Sequence, residues 1–154
     1  MANHAGGISI VTFVVALAVS MGYYQFVYLP EANAKPILPD EILNPRDTTA
    51  VQMVEGSSLE SNEENFVPDE VRGALGLSNR VEWTNNDIIS HTVTSLDGFV
   101  DRVNGPFDSV EKMGSLIEPG STFEFTFTAE GEYSYYCTPH PFMRGVVEIV
   151  PNFA

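Results

Sequence analysis

Cys137, His140 and Met143 fall within seven residues of one another in the stretch Tyr136-Cys137-Thr138-Pro139-His140-Pro141-Phe142-Met143. A thiolate, an imidazole and a thioether this close in sequence form a ligand set if the chain turns sharply between two strands. Pro139 and Pro141 remove two backbone donors and stiffen such a turn. One further ligand is needed. Of the three histidines, His4 lies beyond a long apolar segment, which leaves His91, at a strand end beside a turn. The set closes on His91, Cys137, His140 and Met143. Soft sulfur, two imidazoles and a weak thioether suit copper in an electron-transfer site, whereas zinc takes more Cys or His and does not want a thioether.

Taken singly, each of these residues has an ordinary role. A lone cysteine is an inert small hydrophobe, a methionine fills core gaps, and a strand-end histidine needs no function. The Cys-x₂-His-x₂-Met spacing is what lifts them above that reading. Trp83 and the Phe triplet at 123, 125 and 127 are core residues, and Tyr135 and Tyr136 pack beside the thiolate. A Cys-His hydrolase is the weakest rival, because nothing supplies the third, orienting group.

The counts narrow the chemistry further. In 154 residues there are one Cys, three His, seven Lys+Arg and 21 Asp+Glu, for a net charge of −14. One cysteine excludes an intrachain disulfide, a CxxC redox pair and a Cys₄ zinc site. Three histidines cannot populate a multi-metal catalytic centre. A chain so acidic does not bind nucleic acid, which demands cationic surface.

The elements that must hold the ligands read as β. Val51–Glu55 is a short strand, and Arg80–Asn85 alternates polar and apolar residues before the turn cluster Asn85-Asn86-Asp87. His91–Thr94 is β-branched. Ser121–Thr128 places three Phe at period 2 on one face. Tyr133–Cys137 and Gly145–Val150 complete seven or so strands, the pattern of an antiparallel sandwich. Asp101–Gly114 reads as a loop or a short helix.

Ahead of these strands, Ile8 to Leu29 carries no charged residue and ends in the aromatics Tyr23, Tyr24, Phe26 and Tyr28. About 20 apolar residues at 1.5 Å each cross a hydrocarbon core of roughly 30 Å, with aromatics at the interface. A cleaved signal peptide competes, since Ala32-Asn33-Ala34 has the A-x-A form. The run, however, exceeds the usual 7–15 residues and no Lys or Arg precedes it. An uncleaved anchor in the bilayer through residues 8–29 is favoured over that and over a buried core helix. Lys35 and Arg46 follow the segment, so the positive-inside count opposes export slightly. Residues 30–50, with prolines at 30, 36, 39 and 45, read as a semi-rigid linker. The ten carboxylates from Glu31 to Glu70 lie largely there and in the polar stretch Gly56–Asn65, and read as a solvated, self-repelling tether. The domains expected are an anchor at 1–29, the linker at 30–50 and a β domain at 51–154.

The loop C-T-P-H-P-F-M-R-G and the upstream Val81-Glu82-Trp83-Thr84-Asn85-Asn86-Asp87…His91-Thr92-Val93 resemble the cupredoxins, the small blue copper proteins. The loop is similar to that of amicyanins, with two residues between His140 and Met143 where plastocyanins have four. Thr92 stands where plastocyanins usually carry Asn, and the polar insert at 56–65 has no evident counterpart. The resemblance covers about residues 51–150. It implies an all-β Greek-key sandwich, with one type 1 copper held by His91, Cys137 and His140 in a trigonal plane and Met143 axial. It also implies outer-sphere transfer of single electrons between redox protein partners, with His140, Pro141, Phe142 and Met143 as an apolar docking patch. Two alternatives remain. One is a copper subunit of a membrane respiratory oxidase or reductase complex, without the second cysteine that a binuclear centre requires. The other is a copper-binding module with no redox duty. Thiol-rich cytosol is a poor place for a thiolate–copper site. The domain is therefore expected on the extracytoplasmic side of a prokaryotic cell membrane, single-pass, with the N-terminus inside.

Overall fold

The computed structural model describes residues 5–152, so His4, the bystander histidine, lies outside the described residues. The chain divides into two compact units, Met1–Pro36 and Ile37–Ala154.

The first unit is helical. Helix α1 (Ala5–Tyr23) passes through a π-helical segment (Tyr24–Tyr28) into α2 (Leu29–Ala32). The wider segment ends just before Pro30, whose ring would press on the carbonyl four residues back in a regular helix. From Ile10 to Ala32 the helix runs 23 residues with its apolar side chains unburied. At 1.5 Å per residue that is about 34 Å, enough to cross a hydrocarbon core. The Tyr24 and Tyr28 rings stack at 5.5 Å near its C-terminal end.

The second unit is a sandwich of two four-stranded sheets. Its strands are β1 (Thr48–Met53), β2 (Phe66–Val67), β3 (Glu70–Ala74), β4 (Arg80–Asn85), β5 (Thr94–Ser95), β6 (Val100–Asp101), β7 (Gly105–Pro106), β8 (Thr122–Thr126), β9 (Gly131–Tyr136) and β10 (Arg144–Val150). One sheet has the order β2-β1-β4-β8, the other β3-β10-β9-β5, and β6 and β7 form a separate ribbon. The sandwich is not wholly antiparallel, as the alternation pattern suggested: β1 runs parallel to β4, and β3 to β10. The chain leaves the first sheet after β2 and returns at β4, so β4 arrives beside β1 by a crossover rather than a hairpin.

Alternation does the rest. Val81 and Trp83 of β4 and Phe123 and Phe125 of β8 point inward and are buried against Val71, Tyr133, Tyr135, Val147 and Ile149 of the facing sheet. Phe107, from the segment after β7, seals the layer between the sheets. Its ring lies 5.0 Å from Phe125 and Phe127 and 5.5 Å from Trp83. Such aromatic pairs add about 0.5–1.5 kcal/mol each beyond the area they bury.

One segment that composition left open and one that it read as a solvated tether acquire definite structure. Residues 101–114 hold the ribbon and a short helix α4 (Ser109–Met113), capped by the Asp108 carboxylate, which accepts N–H bonds from Val110 and Glu111. Gly114, at φ 74°, ends it in the left-handed region that only glycine enters freely. The stretch Gly56–Asn65 is not a free tether. It folds through the bonds Leu59 N to Gly56 O and Asn62 N to Leu59 O, and buries Ser57 completely. Its carboxylates at 60, 63 and 64 still project outward, which is why composition alone reads it as solvated.

Candidate metal centre

β9 delivers Cys137 to the end of the sandwich, and β10 begins again at Arg144. The six residues between are knotted by their own backbone. Cys137 N donates to Met143 O at 3.2 Å, His140 N to Cys137 O at 3.1 Å, and Met143 N to His140 O at 2.9 Å. The two prolines sit at positions whose N–H groups this network does not need. Arg144 Nε donates to Pro141 O at 3.2 Å and braces the outer side.

His91 reaches the same place from the other side. The sequence reads His91–Thr94 as a strand, but only Thr94 and Ser95 form one. The reason lies in the donors: Thr92 N is taken by Cys137 Sγ at 3.3 Å and Val93 N by Ser109 Oγ at 3.0 Å, leaving no ladder to join. His91 keeps a single bridge to Ile117, donating N–H to its carbonyl at 3.1 Å and accepting in return at 2.9 Å. Asn85, fully buried, sets the turn before it by donating to the carbonyls of Ile89 and Ile117 and accepting from Asp87 N.

The result is a convergence. His91 Nδ1 and His140 Nδ1 each lie 3.6 Å from Cys137 Sγ. All three donor atoms fall within 4.8 Å of one another, so one ion can touch them together. The two imidazole rings stand 5.1 Å apart and tilted by 58°. Cys137, His91 and Met143 are fully buried, whereas His140 is half-buried between the exposed Pro139 and Pro141. Met143 closes the loop through its carbonyl, which is bonded to the Cys137 amide. One thiolate and two imidazoles in a dry pocket, with a thioether on the same loop, are the donors a copper ion takes. Thr92, the departure from the plastocyanin pattern, takes a bracing role: its hydroxyl accepts the Thr138 N–H at 2.7 Å and ties the cysteine loop to the histidine segment.

Sequence reasoning missed two residues at this site. Asp87, read only as part of a turn, is buried and accepts a bond from His91 Nε2 at 3.0 Å. Ser57, read as tether, places its hydroxyl 3.3 Å from both Asp87 Oδ2 and His91 Nε2. The Asp87–His91 spacing of four was the one signal available for the first. The second sits 30 residues from Asp87 and had none.

Burial on its own would raise the Asp87 carboxyl, but N–H groups of Gly56, Ile88 and Ser58 and the His91 ring reverse this and hold it well below the usual carboxylate range. Burial lowers His91, and the nearby His140 adds to that, although Asp87 pulls the other way. Both shifts have the same sign for stability. The unfolded chain binds more protons than the folded one once pH drops below the ordinary histidine value of about 6.5, and again through the carboxylate range. The metal-free protein is therefore expected to lose thermal stability steadily as pH falls from about 7 to 4. Differential scanning calorimetry across that range checks it, and a flat melting temperature would contradict the assigned protonation states.

The geometry agrees with comparisons to known proteins. The family model described as copper binding proteins, plastocyanin/azurin family, matches residues 54–150. Amicyanin-alpha of Methylorubrum extorquens is 34% identical over 84 residues, 54% of this chain and 63% of that protein. Amicyanin of Paracoccus denitrificans is 35% identical over 69 residues, 45% of this chain and 47% of that protein. The matched part thus spans about half to three fifths of these relatives' lengths. Among solved structures, a purple cupredoxin from Nitrosopumilus maritimus superposes with a TM-score of 0.53 at 26% identity, covering 66% of this chain and 99% of that one. A copper-containing nitrite reductase from Thermus scotoductus shares the fold at a TM-score of 0.52 and 22% identity, over 78% of this chain and 28% of that one. With two sheets of the expected kind, a Cys-His-His cluster at their end and a family match across most of the β unit, this chain belongs to the plastocyanin/azurin family of copper-binding proteins.

Proposed function

We propose that the protein is a membrane-anchored type 1 copper protein that carries single electrons between redox partners. The observation that carries this reading is the convergence of two imidazole Nδ1 atoms on one fully buried thiol sulfur, each at 3.6 Å. His91, Cys137, His140 and Met143 are the residues that would hold the copper. When bound, copper supplies a Cu(II)/Cu(I) couple that takes up one electron and gives up one.

The chain's own part is to hold still. Thr92, Ser109 and the loop's backbone bonds fix the donors on a sandwich, so little rearrangement is needed between oxidation states. The Thr92 N–H bond to the sulfur disperses charge on the thiolate, and burial keeps water away from it. His140 is the one ligand with a solvent-facing side, flanked by exposed prolines and half-buried Phe142, whose ring lies 6.0 Å from the imidazole. This largely apolar rim is the proposed docking patch and His140 the proposed route for the electron. The helix Ile10–Ala32 is the proposed anchor, with the copper domain on the extracytoplasmic side, where no thiol pool competes for the ion or holds it reduced.

The test is a reductive titration of the copper-loaded chain. One electron equivalent per chain is expected to bleach the visible absorption fully and reversibly; a copper-loaded chain that does not exchange an electron is a binding module instead. Phe142→Asp places a charge on the rim and is expected to slow second-order electron exchange with a protein partner by tenfold or more, with the visible spectrum unchanged. An unaltered rate in stopped-flow measurements would count against this patch.

A further inference from the structure

The histidine on the buried side is held by more than packing. Asp87 Oδ1 accepts N–H bonds from Gly56 at 3.0 Å and Ile88 at 2.8 Å. Its Oδ2 accepts from Ser58 N at 3.2 Å and Ser57 Oγ at 3.3 Å, and faces His91 Nε2 at 3.0 Å. Every other neighbour of this carboxylate is a donor, so it is an ionised acceptor with nothing to give, and the proton in the contact with His91 belongs to Nε2. The Ser57 hydroxyl has one hydrogen. Directed at Asp87, it leaves its lone pairs toward His91 Nε2 at 3.3 Å, so serine and aspartate both require the same tautomer. That tautomer leaves Nδ1 bare, on the side facing Cys137 Sγ.

Three of the donors, Gly56 N, Ser57 Oγ and Ser58 N, come from the insert, and Ser57, Asp87 and His91 are all shut off from water. Gly56, at φ 81°, makes the turn that brings its own amide and that of Ser58 onto one carboxylate. An uncovered carboxylate there would be a costly buried charge. With the insert in place it is a fixed negative charge immediately behind a metal-facing imidazole.

We infer that Ser57 and Asp87 are positioning residues: they lock His91 as an Nδ1 ligand and, through the buried negative charge, favour the more positive Cu(II) state, lowering the reduction potential. This rests on the copper reading above. It assigns the 56–58 insert a task, that of making the Asp87 charge tolerable in a dry site.

Two measurements test it, one of them without copper. Long-range ¹H–¹⁵N NMR of the metal-free full chain in detergent is expected to show His91 protonated at Nε2 and bare at Nδ1. The opposite tautomer would overturn the proposal, whatever copper does. In the copper-loaded chain, Asp87→Asn removes the charge while keeping the shape. It is expected to shift the Cu(II)/Cu(I) equilibrium at least tenfold toward Cu(I), a rise of about 59 mV for one electron. Ser57→Ala, which leaves the charge and removes a donor that disperses it, is expected to shift it in the opposite direction, toward Cu(II), and by less. Should Asp87→Asn not fold, Ser57→Ala decides alone, and a potential equal to that of the unaltered chain overturns the proposal. Absence of any thiolate-to-copper absorption in the unaltered chain would instead defeat the copper reading and leave the tautomer result standing.

Discussion

Cys137→Ser is expected to erase the intense visible absorption of the copper-loaded protein and to lower its copper affinity by more than about 100-fold. Loss of an outer partner of a metal ligand already costs roughly 10- to 100-fold, and here the ligand itself goes. Sulfur is the donor that makes the site soft, and a serine hydroxyl neither ionises at neutral pH nor gives a sulfur-to-metal transition. The fold is expected to survive. Serine is nearly isosteric, and the partners that surround the sulfur, Thr92 N at 3.3 Å and the two imidazole Nδ1 atoms at 3.6 Å, can all bond a hydroxyl. Visible spectroscopy and circular dichroism on the same sample separate the two effects. A band that persists in the serine variant would remove Cys137 from the ligand set and with it the proposed site.

Much of this site was legible because its chemistry is local in sequence. Cys137, His140 and Met143 share one loop, and His91 was recoverable by elimination among three histidines. The strands that read most clearly, Arg80–Asn85 and the Phe-rich run around Thr122–Thr126, are those whose inward residues are large and whose outward ones are polar. β3 was invisible for the converse reason. Within Glu70–Ala74 only Val71 is a sizeable inward side chain, and what makes it a strand is parallel pairing with β10, more than 70 residues away in the chain. Nothing local carries that information. Ser57 was hidden by its neighbours: four carboxylates within seven residues of it make the segment look solvated, although its first residues turn inward to meet Asp87. Charge content describes the outside of a loop, and this loop works with its inside.

The largest stability effect is expected at a residue with no side chain. Gly145 faces Tyr135 across the β9–β10 pair, and the hydroxyl end of the tyrosine lies against it. A Cβ at 145 would land on the ring and hydroxyl of Tyr135 and come within 2.9 Å of the Asp69 carbonyl. The ring has nowhere to retreat. It is 1% exposed, 4.9 Å from Phe66 and 5.4 Å from Trp83, with Phe107 behind at 6.0 Å. Gly145→Val is therefore expected to cost about 3 kcal/mol or more through overpacking, despite valine's better strand propensity. That corresponds to a melting temperature lower by roughly 10 °C for a domain of this size. Tyr135 lies two residues before Cys137 on the same strand face, so the visible spectrum is expected to broaden as well. A melting temperature within about 2 °C of the parent's would show that Tyr135 can move aside and that the aromatic layer is looser than its packing indicates.

The complete burial of Cys137 bears on the protein before it ever meets its metal. A single accessible thiol in an oxidising compartment invites sulfenic acid formation and disulfide-linked dimers, both of which proceed through the exposed thiolate. Here the sulfur is sealed beneath Thr92, His91 and the Pro-braced loop, with no surface open to peroxide or to a second chain. The newly folded chain can thus wait for copper with its one irreplaceable sulfur unspent.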